Sequence, residues 1–383
     1  MSSPRILLYV QHLLGVGHVT RAAAITRAML NAGLEVSVVL GGEPVPHADF
    51  GAAKRSQLPS ARANDMSFSQ LLDADNRPVD DTWRAARTTQ LLALEADLKP
   101  RVIITEHFPF GRAKFAFELI PMFEQARRRG DVKILASVRD VLVEKADVVK
   151  ATRMRGWIDQ WFDHILVHGD AAVIPLDATF EAAAAIRDKL IYTGYVIDAA
   201  PFVSGSAEDG RDEIIVSIGG GAVGENLLRV AIDAAAALPG KRWRLLVGAN
   251  LAVATFEALQ AVAGQHPHII VERARPDFRA LLSRAALSIS QGGYNTLMDV
   301  LVARCPAVIV PFAGGAESEQ TFRAGEFARR GLISVIAEAD LSPSVLAAAA
   351  LAALQRPRGG APAINLDGAA GTARQVMMLA GLA

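Results

Sequence analysis

The feature that most limits the fold is a series of short apolar segments, each followed by glycine or a polar turn and then by a helical pattern. Arg5–Val10 (RILLYV) reads as a strand, and residues 21–32 as a helix that stops at Gly33. Glu35–Leu40 and residues 101–105, 134–138 and 164–167 read as further strands. Strands that are apolar at nearly every position are buried on both faces, as in a parallel sheet covered by helices. Alternation of such strands with helices predicts the doubly wound α/β class.

The pattern breaks after Tyr195. Residues 198–211 contain Pro201, the triplet Ser204, Gly205, Ser206, and Gly210, which is linker chemistry. Strand, glycine loop and helix then restart, with strands at 213–218, 242–247, 268–271, 286–290, 307–310 and 333–335 and a helix over 225–238. Two half-chains of one plan predict two Rossmann-like domains, 1–197 and 198–368, with 369–383 a helix that returns to the first. A length of 383 residues suits two domains better than one core.

Composition narrows the partners. The 40 basic and 40 acidic residues cancel, so nothing marks a nucleic-acid footprint or a polybasic membrane anchor. No stretch reaches the roughly 18–20 apolar residues of a spanning helix, and the short apolar run after Arg5 lacks the form of a secretory signal. The expectation is a cytoplasmic chain, with peripheral contact at the inner face of a membrane left open. The single cysteine, Cys305, sits in an apolar stretch and is expected to be a buried, inert thiol.

Three glycine turns carry the candidate chemistry. In the first, Gly15, Gly17 and His18 follow the first strand and open a helix, where the backbone can turn sharply toward a ligand. The third glycine of a dinucleotide fingerprint is missing, with Thr20 and Arg21 in its place, and no acid is well placed for a ribose. Dinucleotide binding is therefore demoted. An imidazole such as that of His18 can take a proton from a hydroxyl or water near neutral pH; a helix-capping histidine is the alternative. The second turn, Gly219 to Gly224, offers backbone amides to a diphosphate, or is a simple turn. The third, Gly292, Gly293, Tyr294, Asn295, Thr296, supplies an amide and a hydroxyl for phosphate oxygens. Asp299 lies one helical turn beyond, within reach of ribose hydroxyls; ordinary capping would also explain this group. A glycine-loosened turn after Phe312 presents Glu319 and Gln320, suited to sugar hydroxyls or to solvent.

Residues 15–21 resemble the G-x-G-H-x-x-R loop of nucleotide-sugar enzymes of GT-B fold. The segment from Gly292 to Phe312 resembles the donor-site signature of the lipid II-forming N-acetylglucosaminyltransferase family, with its glycine-rich threonine turn, acidic ribose ligand and Val-Pro-Phe strand end. The likeness runs over nearly the whole chain. It implies two Rossmann-like domains facing across a cleft and an inverting transferase that moves a hexosyl or N-acetylhexosaminyl group from a nucleotide-diphosphate sugar, UDP favoured, to an acceptor hydroxyl on a lipid-linked or small molecule. It further implies that Gly17, Gly220, Gly221, Gly293, Asn295 and Thr296 surround the donor, with Asp299 at the ribose and Arg275 beside the nucleobase. Glu319 and Gln320 would read the sugar, and His18 would be the base. No metal or other cofactor is implied. Asp299 stands where glutamate is commoner, which shortens its reach. An extra residue before Glu319 and Gln320 leaves open which of them reads the sugar.

A base of this kind is often oriented by a carboxylate. Glu106, at a strand end, is the first candidate and Asp140 the second, against surface salt bridging as the alternative. Arg112 and Arg139 are candidates for an anionic acceptor, or for capping and packing. Residues 61–87 form an excursion that could shape an acceptor pocket, and Asp73 and Asp75 within it read as solvated charge rather than a metal pair. A hydrolase that uses water as acceptor, and a non-catalytic sugar-nucleotide binder, are the rival readings. A non-hydrolysing epimerase lacks a convincing acidic cluster.

Overall fold

The computed structural model describes residues 5–13, 17–64, 70–142, 147–197, 208–219, 224–314, 318–358 and 363–382. Two compact units divide the chain: Met1–Ala199 with Asn365–Ala383, and Ala200–Ile364.

The first unit contains strands β1 (Arg5–Val10), β2 (Glu35–Leu40), β3 (Lys54–Gln57), β4 (Arg62–Ala63), β5 (Leu71–Leu72), β6 (Val102–Glu106), β7 (Lys133–Arg139), β8 (His164–His168) and β9 (Leu190–Tyr192). Its helices are α1 (Gly17–Asn31), α2 (Asp81–Leu98), α3 (Ala116–Arg129) and α4 (Val148–Trp161). Seven strands form one parallel sheet in the order β3-β2-β1-β6-β7-β8-β9, and β4 with β5 makes a separate antiparallel ribbon.

Burial on both faces explains the apolar strands. Leu7 and Tyr9 of β1 face a core shared with Leu91 of α2, Phe123 of α3 and Trp161 of α4. Ile6, Leu8 and Val10 face the other way, onto Ala22, Ile25 and Met29 of α1.

The second unit contains β10 (Ile214–Ser217), β11 (Trp243–Val247), β12 (Ile269–Arg273), β13 (Leu287–Ser290), β14 (Ala307–Ile309) and β15 (Ser334–Val335). Its helices are α5 (Glu225–Ala236), α6 (Val253–Ala263), α7 (Phe278–Arg284), α8 (Tyr294–Ala303), α9 (Glu319–Arg329) and α10 (Pro343–Leu354). The parallel sheet runs β12-β11-β10-β13-β14-β15. Its core joins Val216, Leu245 and Ile289 to Leu228 and Ile232 of α5 and Leu346 of α10. The expected doubly wound α/β class is the observed one, once in each unit.

Each sheet has one place where strand order reverses, between β1 and β6 and between β10 and β13. Connections leave such a point in opposite directions, which opens a crevice at the carboxyl ends of the two strands, the usual ligand position in open α/β sheets. His18 follows β1 and Glu106 ends β6. Gly219 follows β10, and Gly292 and Gly293 follow β13.

The chain returns to the first unit through α11 (Gly368–Leu379), which packs on α1. Tyr195 N–H donates to the Asn365 carbonyl at 2.8 Å, and Gly368 N–H to the Tyr195 carbonyl at 3.0 Å. Two glycines make this docking possible. A Cβ at Gly371 would lie 2.2 Å from the Thr193 carbonyl oxygen, and one at Gly368 the same distance from that of Gly194. Among the described residues no helix is long and apolar enough to cross a membrane.

Alanine is the better helix former by about 1 kcal/mol in open surroundings. Gly371→Ala should nevertheless destabilise the first unit by about 1–3 kcal/mol, because backbone must move to admit the methyl. Urea unfolding checks this; an unchanged or raised midpoint would refute the close docking.

Candidate functional site

In the first unit, α1 and β7 bring three side chains onto one carboxylate at the end of β6. Glu106 is 1% exposed at the end of β6. His18 Nδ1 lies 2.8 Å from Glu106 Oε1. Arg21, one turn along α1 from His18, is itself buried and pairs with the same oxygen. Its guanidinium also approaches His18 Nδ1 at 3.3 Å. Ser137 Oγ of β7 donates to Glu106 Oε2 at 2.6 Å. Behind Ser137, His168 Nε2 lies 2.8 Å from Ser137 Oγ, and His168 Nδ1 lies 2.9 Å from Thr193 Oγ1.

Glu106 is therefore the carboxylate on His18, in a buried network rather than in a surface salt bridge. Asp140 is fully buried just beyond β7, where a Cβ on Gly169 would lie 2.6 Å from its own Cβ. Gly17 is the first residue of α1, and Gly15 lies outside the described residues. His107 stacks obliquely on His18, ring centroids 5.2 Å apart. Burial, with help from the His18 and Arg112 charges, holds His107 well below the ordinary histidine range. Burial also lowers Arg112 to about 10, and its Nε donates to the Gln11 carbonyl at 2.8 Å.

A second buried knot fixes the loops around this group. Arg87 of α2 is fully buried between the rings of Trp83 and Phe115. Its Nε donates to Glu118 Oε2 at 2.7 Å, and Nη1 to the carbonyls of Gly41 and Pro59 at 2.9 and 2.6 Å. Its Nη2 donates to the Tyr9 hydroxyl at 3.1 Å and to Gln11 Oε1 at 2.5 Å. One guanidinium thus ties down the chain after β1 and after β2. Within the 61–87 excursion, Asp73 Oδ1 accepts the backbone N–H of Asp75 and of Arg77, each at 2.9 Å, so this carboxylate shapes a turn.

In the second unit, Gly220 and Gly221 lie outside the described residues. A Cβ on Gly219 would come 3.9 Å from Thr296 Oγ1, so the turns after β10 and β13 are neighbours. Gly293 is the N-cap of α8, supplies no side-chain cap, and has no atom within 4 Å of where a Cβ would stand. Asn295 and Thr296 occupy the first turn of that helix, which carries no acidic residue. A Cβ on Gly292 would sit 3.3 Å from Gln320, which brings the starts of α8 and α9 together.

The charged donor-site candidates are engaged inside the unit. Arg279 Nε donates to Asp299 Oδ1 at 2.8 Å, which fixes that carboxylate. Glu319 accepts from the buried Arg323 at 2.7 Å. Gln320 Oε1 accepts the Phe312 N–H at 3.3 Å. Arg275, expected beside the nucleobase, is also paired within the unit. Its side chain is held by Asp277 at 2.8 and 2.7 Å, by Asp209 at 2.7 Å and by Glu272 at 3.3 Å. These carboxylates raise its pKa above the ordinary arginine value, Asp277 most. Cys305 is buried, and burial pushes its thiol up to about 12.

Residues 215–364 match the glycosyltransferase family 28 C-terminal domain. The matched residues lie within the second unit. A UDP-N-acetylglucosamine–N-acetylmuramyl-(pentapeptide) pyrophosphoryl-undecaprenol N-acetylglucosamine transferase of Gloeothece citriformis is 32% identical over 98 residues, 26% of this chain and 27% of the relative. The chain thus matches about a quarter of that relative's length. Over the whole chain, CalG4, the calicheamicin glycosyltransferase, superposes with a TM-score of 0.63 at 15% identity, covering 100% of this chain and 99% of CalG4. MurG of Acinetobacter baumannii superposes with a TM-score of 0.55 at 16% identity, covering 98% and 95%. The fold is GT-B, and the match to the family 28 C-terminal domain falls within its second Rossmann-like half.

Sequence alone does not single out Arg21 as a partner of Glu106, nor Ser137 and His168 at all. Arg21 had a signal: it stands three residues after His18 on one helix, hence on the same face. Burial, followed by the nearby Arg21 charge, lowers His168 from the ordinary 6.5 to about 3. The unfolded chain therefore binds the extra proton between these values. The stabilisation is present above the unfolded pKa and is lost as pH falls toward the folded one. His168→Gln removes this linkage, so the variant should gain stability relative to wild type as pH is lowered from about 7 to about 4. Urea titrations at several pH values measure it, and a constant difference would contradict a neutral buried imidazole.

Proposed function

We propose that the chain is an inverting glycosyltransferase that moves a sugar from a nucleotide-diphosphate donor, a UDP-sugar foremost, to an acceptor hydroxyl. The observation that carries the reading is His18 held through Nδ1 by a buried carboxylate at the reversal point of the first sheet. With Nδ1–H donated to Glu106, the acceptor proton falls to Nε2. The acceptor oxygen then bonds to the anomeric carbon as the bond from that carbon to the diphosphate oxygen breaks, with inversion at carbon.

Negative charge grows on the departing diphosphate. The N-terminal amides of α8, the Thr296 hydroxyl and the Asn295 amide supply donors suited to that charge, as does the positive end of the helix dipole. Asp299 is the candidate for the ribose, and Glu319 and Gln320 for the sugar, each with its carboxylate or amide already oriented within the unit. The family 28 match over 215–364 supports assigning the donor to this half. The acceptor hydroxyl belongs to a lipid-linked or small molecule.

The test is release of nucleoside diphosphate from a panel of nucleotide-sugars, with and without hydroxyl acceptors. Acceptor-dependent release supports transfer, and equal release in water alone marks hydrolysis. His18→Ala should lower kcat by about a hundredfold or more while nucleotide affinity is kept. Wild-type kcat in that variant would end the base role. Thr296→Val should weaken nucleoside diphosphate binding by about tenfold, through loss of a hydrogen bond to a charged group, with no change in fold. Calorimetric titration reads that difference.

A further inference from the structure

Ser137, His168 and Thr193 belong to no part of the reaction just described, yet they form a continuous buried chain that ends on Glu106. Ser137 is 1% exposed, His168 0% and Thr193 3%. The hydroxyl of Ser137 has one proton, and the ionised carboxylate beside Arg21 can only accept, so that proton lies on the 2.6 Å bond to Glu106 Oε2. Ser137 Oγ must then accept from His168, which places the His168 proton on Nε2. Nδ1 of His168 is left to accept from the Thr193 hydroxyl at 2.9 Å. A neutral His168 satisfies every step with one sense of donation, from Thr193 through His168 and Ser137 to Glu106.

We propose that Ser137 and His168 are positioning residues: they anchor Oε2 of Glu106 so that Oε1 faces His18 and selects the Nδ1–H tautomer of its imidazole. The inference rests on the base role given to His18. Without the anchor, the Glu106 carboxylate can rotate and offer both oxygens to Arg21, which already touches Oε1. An imidazole that loses its Nδ1 acceptor reverts toward Nε2–H, the form with no lone pair on the nitrogen that would take the acceptor proton. Sheet register makes the anchor rigid, since Glu106 pairs with Ser137 and Arg139 with His168 across three adjacent parallel strands. The other ionisable groups whose charges act around this site are His107, Arg112 and Arg139.

The test is imidazole nitrogen NMR of the full chain at a pH where His18 is neutral, on wild type, Ser137→Ala, His168→Phe and His168→Gln. His168→Phe keeps a ring and loses the donor, whereas glutamine keeps an N–H where Nε2 stood. Expected is a mainly Nδ1–H His18 in wild type and His168→Gln, and a shift toward Nε2–H in Ser137→Ala and His168→Phe. Alongside it, kcat should fall about tenfold in the two shifted variants with the donor KM unchanged. Ser137→Ala removes a single oxygen and carries the test alone if His168→Phe does not fold. An unmoved His18 tautomer in folded Ser137→Ala overturns the proposal. A shifted tautomer with unchanged kcat would uphold the positioning and refute the base role of His18, so the two ideas fail separately.

Discussion

Everything at the reversal point of the first sheet depends on keeping one negative charge out of water. A buried carboxylate is costly unless it is paired and hydrogen-bonded, and a pair of this kind tends to give orientation more than net stability. Glu106 meets the condition with partners from separate elements: His18 and Arg21 from α1, and Ser137 from β7. Each partner is useful only if its element is in place, so the start of α1, the end of β6 and the register of β7 are specified together. Arg87 does the corresponding work for the loops after β1 and β2, with donors to two carbonyls, a phenol, an amide and a carboxylate.

The two units use one topology for different chemistry. At its reversal point the first gathers ionisable side chains around Glu106. The second places glycine turns and the uncapped start of α8, so its resource is backbone N–H and small neutral side chains. Its charged residues are spent on one another: Arg275 with Asp277, Asp209 and Glu272, and Arg279 with Asp299. That internal pairing ties α7 to α8 and the start of α7 to the segment before β10.

Much of this was legible in the sequence because burial on two faces leaves an unbroken apolar run. The central strands β1, β2, β6, β7, β10 and β11 announce themselves in that way. The edge strand β3, Lys-Arg-Ser-Gln, does not, since it is mostly exposed and is defined by pairing with β2 alone. The ribbon of β4 and β5 and the strand β9 escape the sequence for another reason, since each is only two or three residues long. Residues 198–207 of the expected linker lie outside the described residues. Within the site, Glu106 was readable as an acid at the end of an apolar strand beside a glycine-proline loop. Ser137 was not, because a serine inside Lys-Ile-Leu-Ala-Ser-Val-Arg looks like any strand residue until register sets it against Glu106. The partner of Arg275 at Asp209 is 66 residues away, a distance over which spacing carries no information.

Cys305 gives the chain an experimental convenience. With the sole native sulfhydryl buried and holding its proton to about pH 12, a cysteine introduced on the surface would be the only group that alkylating dyes meet in the folded state. Paired probes, one in each unit, could then report distances in solution without any need to strip out a background thiol first.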